Sequence, residues 1–314
     1  MPKAVIAIGG NSLIPDSEHT SVQDQYLAAA ETDDHIADLV EKGWDVAISH
    51  GNGPQVGFIL RRSEMASSEL HEIPLDYCGA DTQGAIGYML QQNLVNDFRQ
   101  RGMSKSVATI VTQVEVDPAD PAFENPSKPI GSFMDEEQAM LRRAKDRWDV
   151  KEDAGRGWRR VVASPKPMRI VELEVIKDLL NAGVVTIAVG GGGIPVVADE
   201  NGDLRGIAAV IDKDLASALL ASQIGADLLL ISTAVERVAL NFGQENEEWV
   251  DQFTLSEVKQ YLEEGGHFAE GSMAPKMRAV VQYMEAGGKE ALITNPQNLE
   301  RAMNGETGTR IVHG

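Results

Sequence analysis

Ala208-Ala209-Val210-Ile211-Asp212-Lys213-Asp214-Leu215-Ala216-Ser217 runs from four apolar residues into three charged ones and then into a helical pattern. Leu215, Ala218, Leu219 and Ala221 recur at helical spacing, so the segment reads as strand, tight turn and helix. Asp212 is a good N-cap type, its carboxylate able to accept from first-turn N–H groups. Lys213 then stands at the positive end of the helix dipole, where a cation is unfavourable. Either Asp212 and Asp214 neutralise a solvated lysine, or the ammonium and the free N–H groups converge on an anion such as a phosphate. Taken alone, the segment favours the solvated lysine. The other strand ends decide for the anion.

Working outward, the same form recurs. The apolar strand at residues 4–8 ends in Gly9-Gly10-Asn11. A second strand at 46–49 runs into His50-Gly51-Asn52-Gly53-Pro54-Gln55-Val56-Gly57, with helical patterning from Val56. A third at 184–189 ends in Gly190-Gly191-Gly192-Gly193-Ile194-Pro195. Between them lie a helix closed by Gly43 and a long helix with the stripe Ile86, Met89, Leu90, Leu94 and Phe98. This is the βαβ rhythm of a mainly parallel α/β sheet, in which ligands collect at the carboxyl ends of strands. Residues 106–116 read as one further strand, and Asn201-Gly202 as a hairpin turn. Strands follow at 228–231, 238–240, 291–294 and 309–312, with helices near 255–262 and 275–283.

Residues 117–167 break the rhythm. Six of the thirteen prolines fall there, and the stretch is too long for a plain connection, so it is expected to form a small protruding lid. It carries ten basic and ten acidic residues, whereas the whole chain has a net charge of −20. A lid over phosphates should be the less acidic part of the molecule, and this one is.

Composition sets the outer limits. A 314-residue chain, 43% hydrophobic and 24% charged, is an ordinary globular one with room for a substantial core. Cys78 is the single cysteine, which excludes an internal disulfide and fits a reducing cytoplasm. No apolar run reaches membrane-spanning length, and Met1-Pro2-Lys3 passes into a strand without signal-peptide anatomy. A cytoplasmic location is expected. The net charge argues against nucleic-acid and anionic-membrane partners. An enzyme of phosphorylated substrates would need a local cationic pocket within that repulsive field.

The familiar nucleotide motifs are missing. There is no Walker A segment and no protein-kinase signature. Gly51-Asn52-Gly53 with Gly57 gives G-x-G-x-x-x-G, which departs from the dinucleotide spacing. The six histidines show no paired-ligand spacing, so no protein-held metal site is expected, and His50 reads as a structural hydrogen-bonding residue. What remains is glycine loops at strand ends and lysines in turns: Lys128, Lys213 and Lys276. Phosphoryl transfer asks for positioning and cationic charge and little covalent chemistry, with Mg2+ brought in on the nucleotide.

The residues that carry these features also carry a family resemblance. Residues 7–11, 49–57, Asn125-Pro126-Ser127-Lys128-Pro129-Ile130-Gly131 and Glu152-Asp153-Ala154-Gly155-Arg156-Gly157-Trp158-Arg159 resemble carbamate kinases of the amino acid kinase superfamily. So do residues 190–195, 209–214, 266–269 and Gly271-Ser272-Met273-Ala274-Pro275-Lys276, and the match spans essentially the whole chain. The resemblance implies one domain over 1–314, an open three-layer αβα sandwich with the 117–167 lid inserted, and a homodimer. It implies reversible transfer between carbamoyl phosphate and ADP, giving ATP and carbamate, usually run toward ATP in arginine breakdown. By motif position Lys213 and Lys276 would neutralise the phosphoryl group and the nucleotide phosphates, Asp214 would orient them, and Lys128 would reach in from the lid. Gly9, Gly10, Asn11, Gly51, Asn52 and Gly53 would cradle the carbamoyl phosphate end, and Gly271, Ser272 and Met273 would meet the nucleotide. One departure stands near the nucleotide: Ser232-Thr233-Ala234-Val235 replaces the family's Leu-Thr-Asp-Val or Leu-Thr-Gly-Val.

The dimer has some support in the residues themselves. On the helix from about 83 to 101, Ala85, Tyr88 and Val95 widen the apolar arc beyond the roughly 100° of one buried stripe. Such an arc fits a subunit interface, or a helix sandwiched within its own chain. Two other functions stay open at this point: a sister kinase acting on another carboxylate or phosphate, and a catalytically silent nucleotide-binding regulator.

Overall fold

The computed structural model describes residues 1–10, 13–14, 18–19, 21–152 and 157–314, with Ser132 by its backbone alone. Asn11 and residues 153–156 of the Glu-Asp-Ala-Gly-Arg-Gly-Trp motif lie outside the described residues.

The apolar run at the start of the chain is strand β1 (Lys3–Ile8), and both its faces are buried. Val5 and Ala7 enter one core cluster, while Ala4, Ile6 and Ile8 enter another. A central strand of a parallel sheet needs this two-sided burial, which explains its unbroken apolar sequence. There follow α1 (Val22–Glu41), β2 (Asp45–His50), α2 (Gly53–Ala66) and the long α3 (Leu75–Gln100). The chain continues through β3 (Val107–Thr109), β4 (Gln113–Val116), β5 (Lys128–Met134), α4 (Glu136–Asp146), β6 (Asp149–Glu152) and β7 (Trp158–Val162). Then come β8 (Pro167–Ile170), α5 (Leu173–Asn181), β9 (Val185–Ile187), β10 (Ile194–Ala198), β11 (Leu204–Gly206) and α6 (Lys213–Ile224). Next are β12 (Leu228–Ser232), β13 (Val238–Leu240), β14 (Glu248–Val250), β15 (Gln252–Thr254) and α7 (Leu255–Glu264). The last are α8 (Met273–Glu285), β16 (Glu290–Thr294), α9 (Leu299–Met303) and β17 (Thr309–Val312).

The main sheet has eight strands in the order β15-β17-β16-β12-β1-β2-β9-β3, parallel except where β16 meets β17. Residues of α1, α3 and α9 cover one face, and residues of α5, α6, α7 and α8 cover the other. This is the expected open αβα sandwich. Within it, Ile8 is in register with Ser232 on one side and His50 on the other. The loops after β12, β1 and β2 therefore leave the sheet side by side. That register is what assembles the site.

Two strand expectations change. Residues 106–116 are two strands in different sheets, β3 at the edge of the large sheet and β4 in a four-stranded one with β11, β10 and β8. The side chain of Gln83 forces the break: it accepts from Thr112 N at 2.7 Å and donates to the carbonyls of Thr112 and Gly190 at 3.1 and 2.9 Å. Residues 208–211, read as a strand, are an extended segment with a single bridge between Ala163 and Ala209. The hairpin at Asn201-Gly202 does join β10 to β11.

The stretch 117–167 contains its own three-stranded antiparallel sheet, β5-β7-β6, and α4. Ile130 and Val162 pack with Val56 and Leu60 of α2 and Leu75 and Cys78 of α3 in a small core of their own. Among the described residues no helix is long and apolar enough to cross a membrane.

Candidate active site

The site begins with the turn into α6. Asp212 is its N-cap, and Oδ1 accepts from the N–H groups of Asp214 and Leu215 at 2.9 and 3.4 Å. Those N–H groups are thus spent on the cap. They are therefore not available to an anion beside Lys213, which leaves the ammonium and, among the described residues, the Lys213 N–H at the start of α6. Ser217 Oγ donates to the Lys213 carbonyl at 2.6 Å and meets Ser49 Oγ of β2 at 2.6 Å, which pins the first turn to the sheet.

Lys213 Nζ lies 2.5 Å from Asp214 Oδ1, and Lys276 Nζ lies 3.0 Å from Asp214 Oδ2. The three side chains are largely buried, at 13%, 15% and 5% exposure for Lys213, Lys276 and Asp214. Burial opposes the charged carboxylate of Asp214, but the two ammoniums more than offset it and hold its pKa well below the usual range. Burial also lowers the pKa of Lys213, and Asp214 works against that. Two cations on one anion leave a net positive charge, so the buried cluster is itself a site for an anion.

Lys128, at the start of β5, reaches across to Asp212: Nζ sits 2.7 Å from Oδ2. One carboxylate thereby caps α6 and ties down the lysine of the protruding subdomain. The sequence reading assigned Asp212 only the first task. Burial and the ammonium of Lys128 act in opposite senses on Asp212, and the lowered pKa shows that the ammonium prevails.

The glycine loops play two parts. An added Cβ on Gly51 would lie 2.7 Å from Gly10 N and 3.0 Å from Gly10 Cα, so the two backbones meet because residue 51 is glycine. Gly9 N and Gly51 N donate to Ser232 and Ile8 carbonyls. Among the described residues no hydrogen bond occupies the N–H groups of Gly10, Asn52 or Gly53, the last opening α2. The Asn52 side chain donates to Thr82 Oγ1 at 2.8 Å. The third glycine loop is a wall: Gly192 N and Gly193 N bond back to Val189 and Gly190, and its residues press on His50, Asn52, Ile211 and Val114. His50 is buried against it, Nδ1 3.2 Å from the Gly51 carbonyl, and burial lowers its pKa to about 4. It is a neutral structural histidine, as read.

The lysines, the two aspartates and the first two glycine loops line one cleft of about 460 Å³. The lining brings Lys128, Lys213, Asp214 and Lys276 together with Gly9, Gly10, Gly51, Asn52 and Gly53 and with Gly271, Ser272 and Met273. Thr233, Ala234 and Val235 belong to the same lining. There the N–H groups of Ser272, Met273 and Ala274 all converge on the Ala269 carbonyl, which fixes the turn into α8. The sequence reading missed Asp212 as a tether and missed Thr82 and Gln83 entirely. No local motif marks those two; they matter only because α3 passes behind the glycine loops.

A sandwich with such lysines at its strand ends is a scaffold for phosphoryl transfer. Residues 2–295 match the model of the amino acid kinase family. The chain is 47% identical to a carbamate kinase of Thermococcus kodakarensis over 316 residues, 99% of each chain. It is 51% identical to a carbamate kinase-like protein of Escherichia coli, covering 98% of each. Among solved structures, carbamate kinase from Giardia lamblia bound to AMP-PNP superposes with a TM-score of 0.92 at 41% identity, over 100% of this chain and 99% of that one. The chain belongs to the amino acid kinase family and, within it, to the carbamate kinases.

Proposed function

We propose that this chain catalyses reversible phosphoryl transfer between carbamoyl phosphate and ADP, yielding ATP and carbamate. The observation that carries the reading is the Lys213–Asp214–Lys276 cluster facing the Gly10–Gly51 cradle within one cleft. Carbamoyl phosphate lies at the cradle, its phosphate oxygens near the free N–H groups of Gly10, Asn52 and Gly53. ADP enters from the Gly271–Met273 end. A β-phosphate oxygen of ADP bonds to phosphorus, the bond from phosphorus to the carbamoyl oxygen breaks, and the electron pair leaves with carbamate. The equatorial oxygens gather charge, and the ammoniums of Lys213 and Lys276 neutralise it. Asp214 keeps both lysines in place before the substrates arrive. Lys128 steadies the carbamoyl end from the subdomain.

No protein base is required, because the attacking phosphate oxygen is already deprotonated near neutral pH and carbamate leaves as an anion. The carboxylates in the cleft agree with this: Asp214 is committed to two lysines, and Asp212 to Lys128 and the helix cap. Mg2+ would for the same reason be held by the nucleotide phosphates and their waters, neutralising charge there. A sister kinase for a dicarboxylate would need a further cation, and among the described residues Lys128, Lys213 and Lys276 are the cations lining the cleft. The protein is expected to act in the cytoplasm as a homodimer. The test is ATP formation from ADP with carbamoyl phosphate, compared with acetyl phosphate and acetylglutamyl phosphate. Preference for either of the latter would replace this reading with the sister-kinase one.

A further inference from the structure

A second cavity, of about 420 Å³, opens where α2 meets the protruding subdomain. Among the described residues Ile130 is the one common to its lining and that of the catalytic cleft. Among the described residues four cations line it, Arg61 from α2, Arg142 and Lys145 from α4, and Arg160 from β7, against the single carboxylate of Glu64. In a chain of net charge −20, this is a local reversal of sign. Arg61 has Glu64 at 3.6 Å, and Arg142 has Asp146 at 2.9 Å. Arg160 and Lys145 have no hydrogen bond or ion pair among the described residues.

Trp148 organises the cavity. The Arg160 guanidinium lies 4.8 Å from its ring centroid and that of Arg142 lies 5.1 Å from it. Stacking on an indole fixes the planar fork of each arginine; it leaves the N–H edge of Arg160 for an oxyanion, while Arg142 gives Nη1 to Asp146. Burial lowers the Arg160 pKa, with Glu64, Asp146 and Glu72 near enough to oppose it. The guanidinium nevertheless stays charged, so it is a partly desolvated cation whose nearby carboxylates make no ion pair or hydrogen bond with it among the described residues. Gly57 of α2 and Gly131 of β5 touch backbone to backbone beside it, an added Cβ on Gly57 lying 2.7 Å from Gly131 Cα.

We propose that this cavity is a second anion site, which binds a small organic anion carrying at least two negative charges on phosphate or carboxylate oxygens. Arg160 and Arg142 form its base, and Arg61 and Lys145 close on it. Because Arg61 belongs to α2 and the other three cations to the subdomain, the bound anion clamps the subdomain onto α2. It thereby sets the reach of Lys128, at the far end of β5 from Met134. The site is independent of which phosphoryl donor the catalytic cleft accepts.

The test uses Trp148 emission in the full-length protein, titrated with inorganic phosphate and with succinate. A saturable change is expected with a midpoint below about 10 mM. Trp148→Phe should abolish the signal. Arg160→Gln should weaken binding by about tenfold or more, and Arg160→Lys by less, since charge-assisted bonds to the fork supply the affinity. Lys276→Ala, which disables the catalytic cleft, should leave the midpoint unchanged. The probe that saturates at lower concentration assigns the oxyanion. If neither probe saturates, if Arg160→Gln titrates like wild type with its near-ultraviolet dichroism intact, or if Lys276→Ala removes the signal, the second site does not exist.

Discussion

Asp214 holds one lysine on each carboxylate oxygen, Lys213 at 2.5 Å and Lys276 at 3.0 Å. The carboxylate is thus the counter-ion that lets two buried ammoniums stand close together before any phosphate arrives. Asp214→Asn keeps the shape and removes the charge, which leaves those ammoniums repelling each other. It should destabilise the fold by about 3–5 kcal/mol. Addition of inorganic phosphate should restore part of the loss in thermal unfolding. An Asp214→Asn variant with wild-type Tm, unmoved by phosphate, would contradict this account.

His50 predicts an acid limb of stability. Burial lowers its folded pKa from 6.5 to about 4, so the unfolded chain takes up the proton first as pH falls. The stabilisation is complete above pH 6.5 and drains away between 6.5 and about 4, to the extent of roughly 3 kcal/mol. Urea unfolding from pH 7.5 to 4.5 should show this slope, and His50→Gln should flatten it. An equal slope in the variant would place the titrating group elsewhere.

The Lys128–Asp212 contact predicts how the subdomain moves. Residues 117–167 should close as a unit when both substrates bind, since Lys128 must follow the phosphate while β5 stays in its sheet. Hydrogen exchange with and without ligands is the measurement. Protection should extend from the glycine loops through β5 and β7. Protection confined to the loops would rule out a lid.

The dimer prediction is sharpened by α3. Ile86, Met89, Leu90 and Leu94 are buried in the chain's own core, whereas Tyr77 and Tyr88, each 64% exposed, and Val95 lie on the outer face. Met89 is therefore no target for an interface test, because its replacement would unfold the core. Tyr88→Arg with Val95→Arg should convert a dimer to monomers in light scattering and leave the circular dichroism unchanged. A wild-type protein that already has the mass of one chain at micromolar concentration would remove the dimer from the account.

Much of this architecture was legible in the residues, for reasons that differ from one element to the next. β1 and β12 were visible because two-sided burial demands an unbroken apolar run. The cleft was visible because glycines after strands and lysines in turns have few structural reasons to be there together. The interruption between β3 and β4 at Ile110–Thr112 was hidden: its β-branched residues suit a strand, and Gln83, which holds Thr112, is 29 residues away. The extended segment before Asp212 was misread because an apolar run looks the same whether it pairs with neighbours or packs between them. Asp212 itself shows the limit most clearly. Its N-cap role is local and readable, but its hold on Lys128 spans 84 residues and exists only in the folded chain.

The most direct test of the central claim is the turnover of ADP and carbamoyl phosphate to ATP by wild type and by Lys213→Ala, each at saturating substrate. Removing that ammonium takes away a few kcal/mol of transition-state stabilisation, so kcat should fall by about 10²–10³-fold while the circular dichroism stays the same. Near-wild-type turnover in a folded Lys213→Ala protein would contradict the account and return Lys213 to the role of a lysine neutralised by its neighbours.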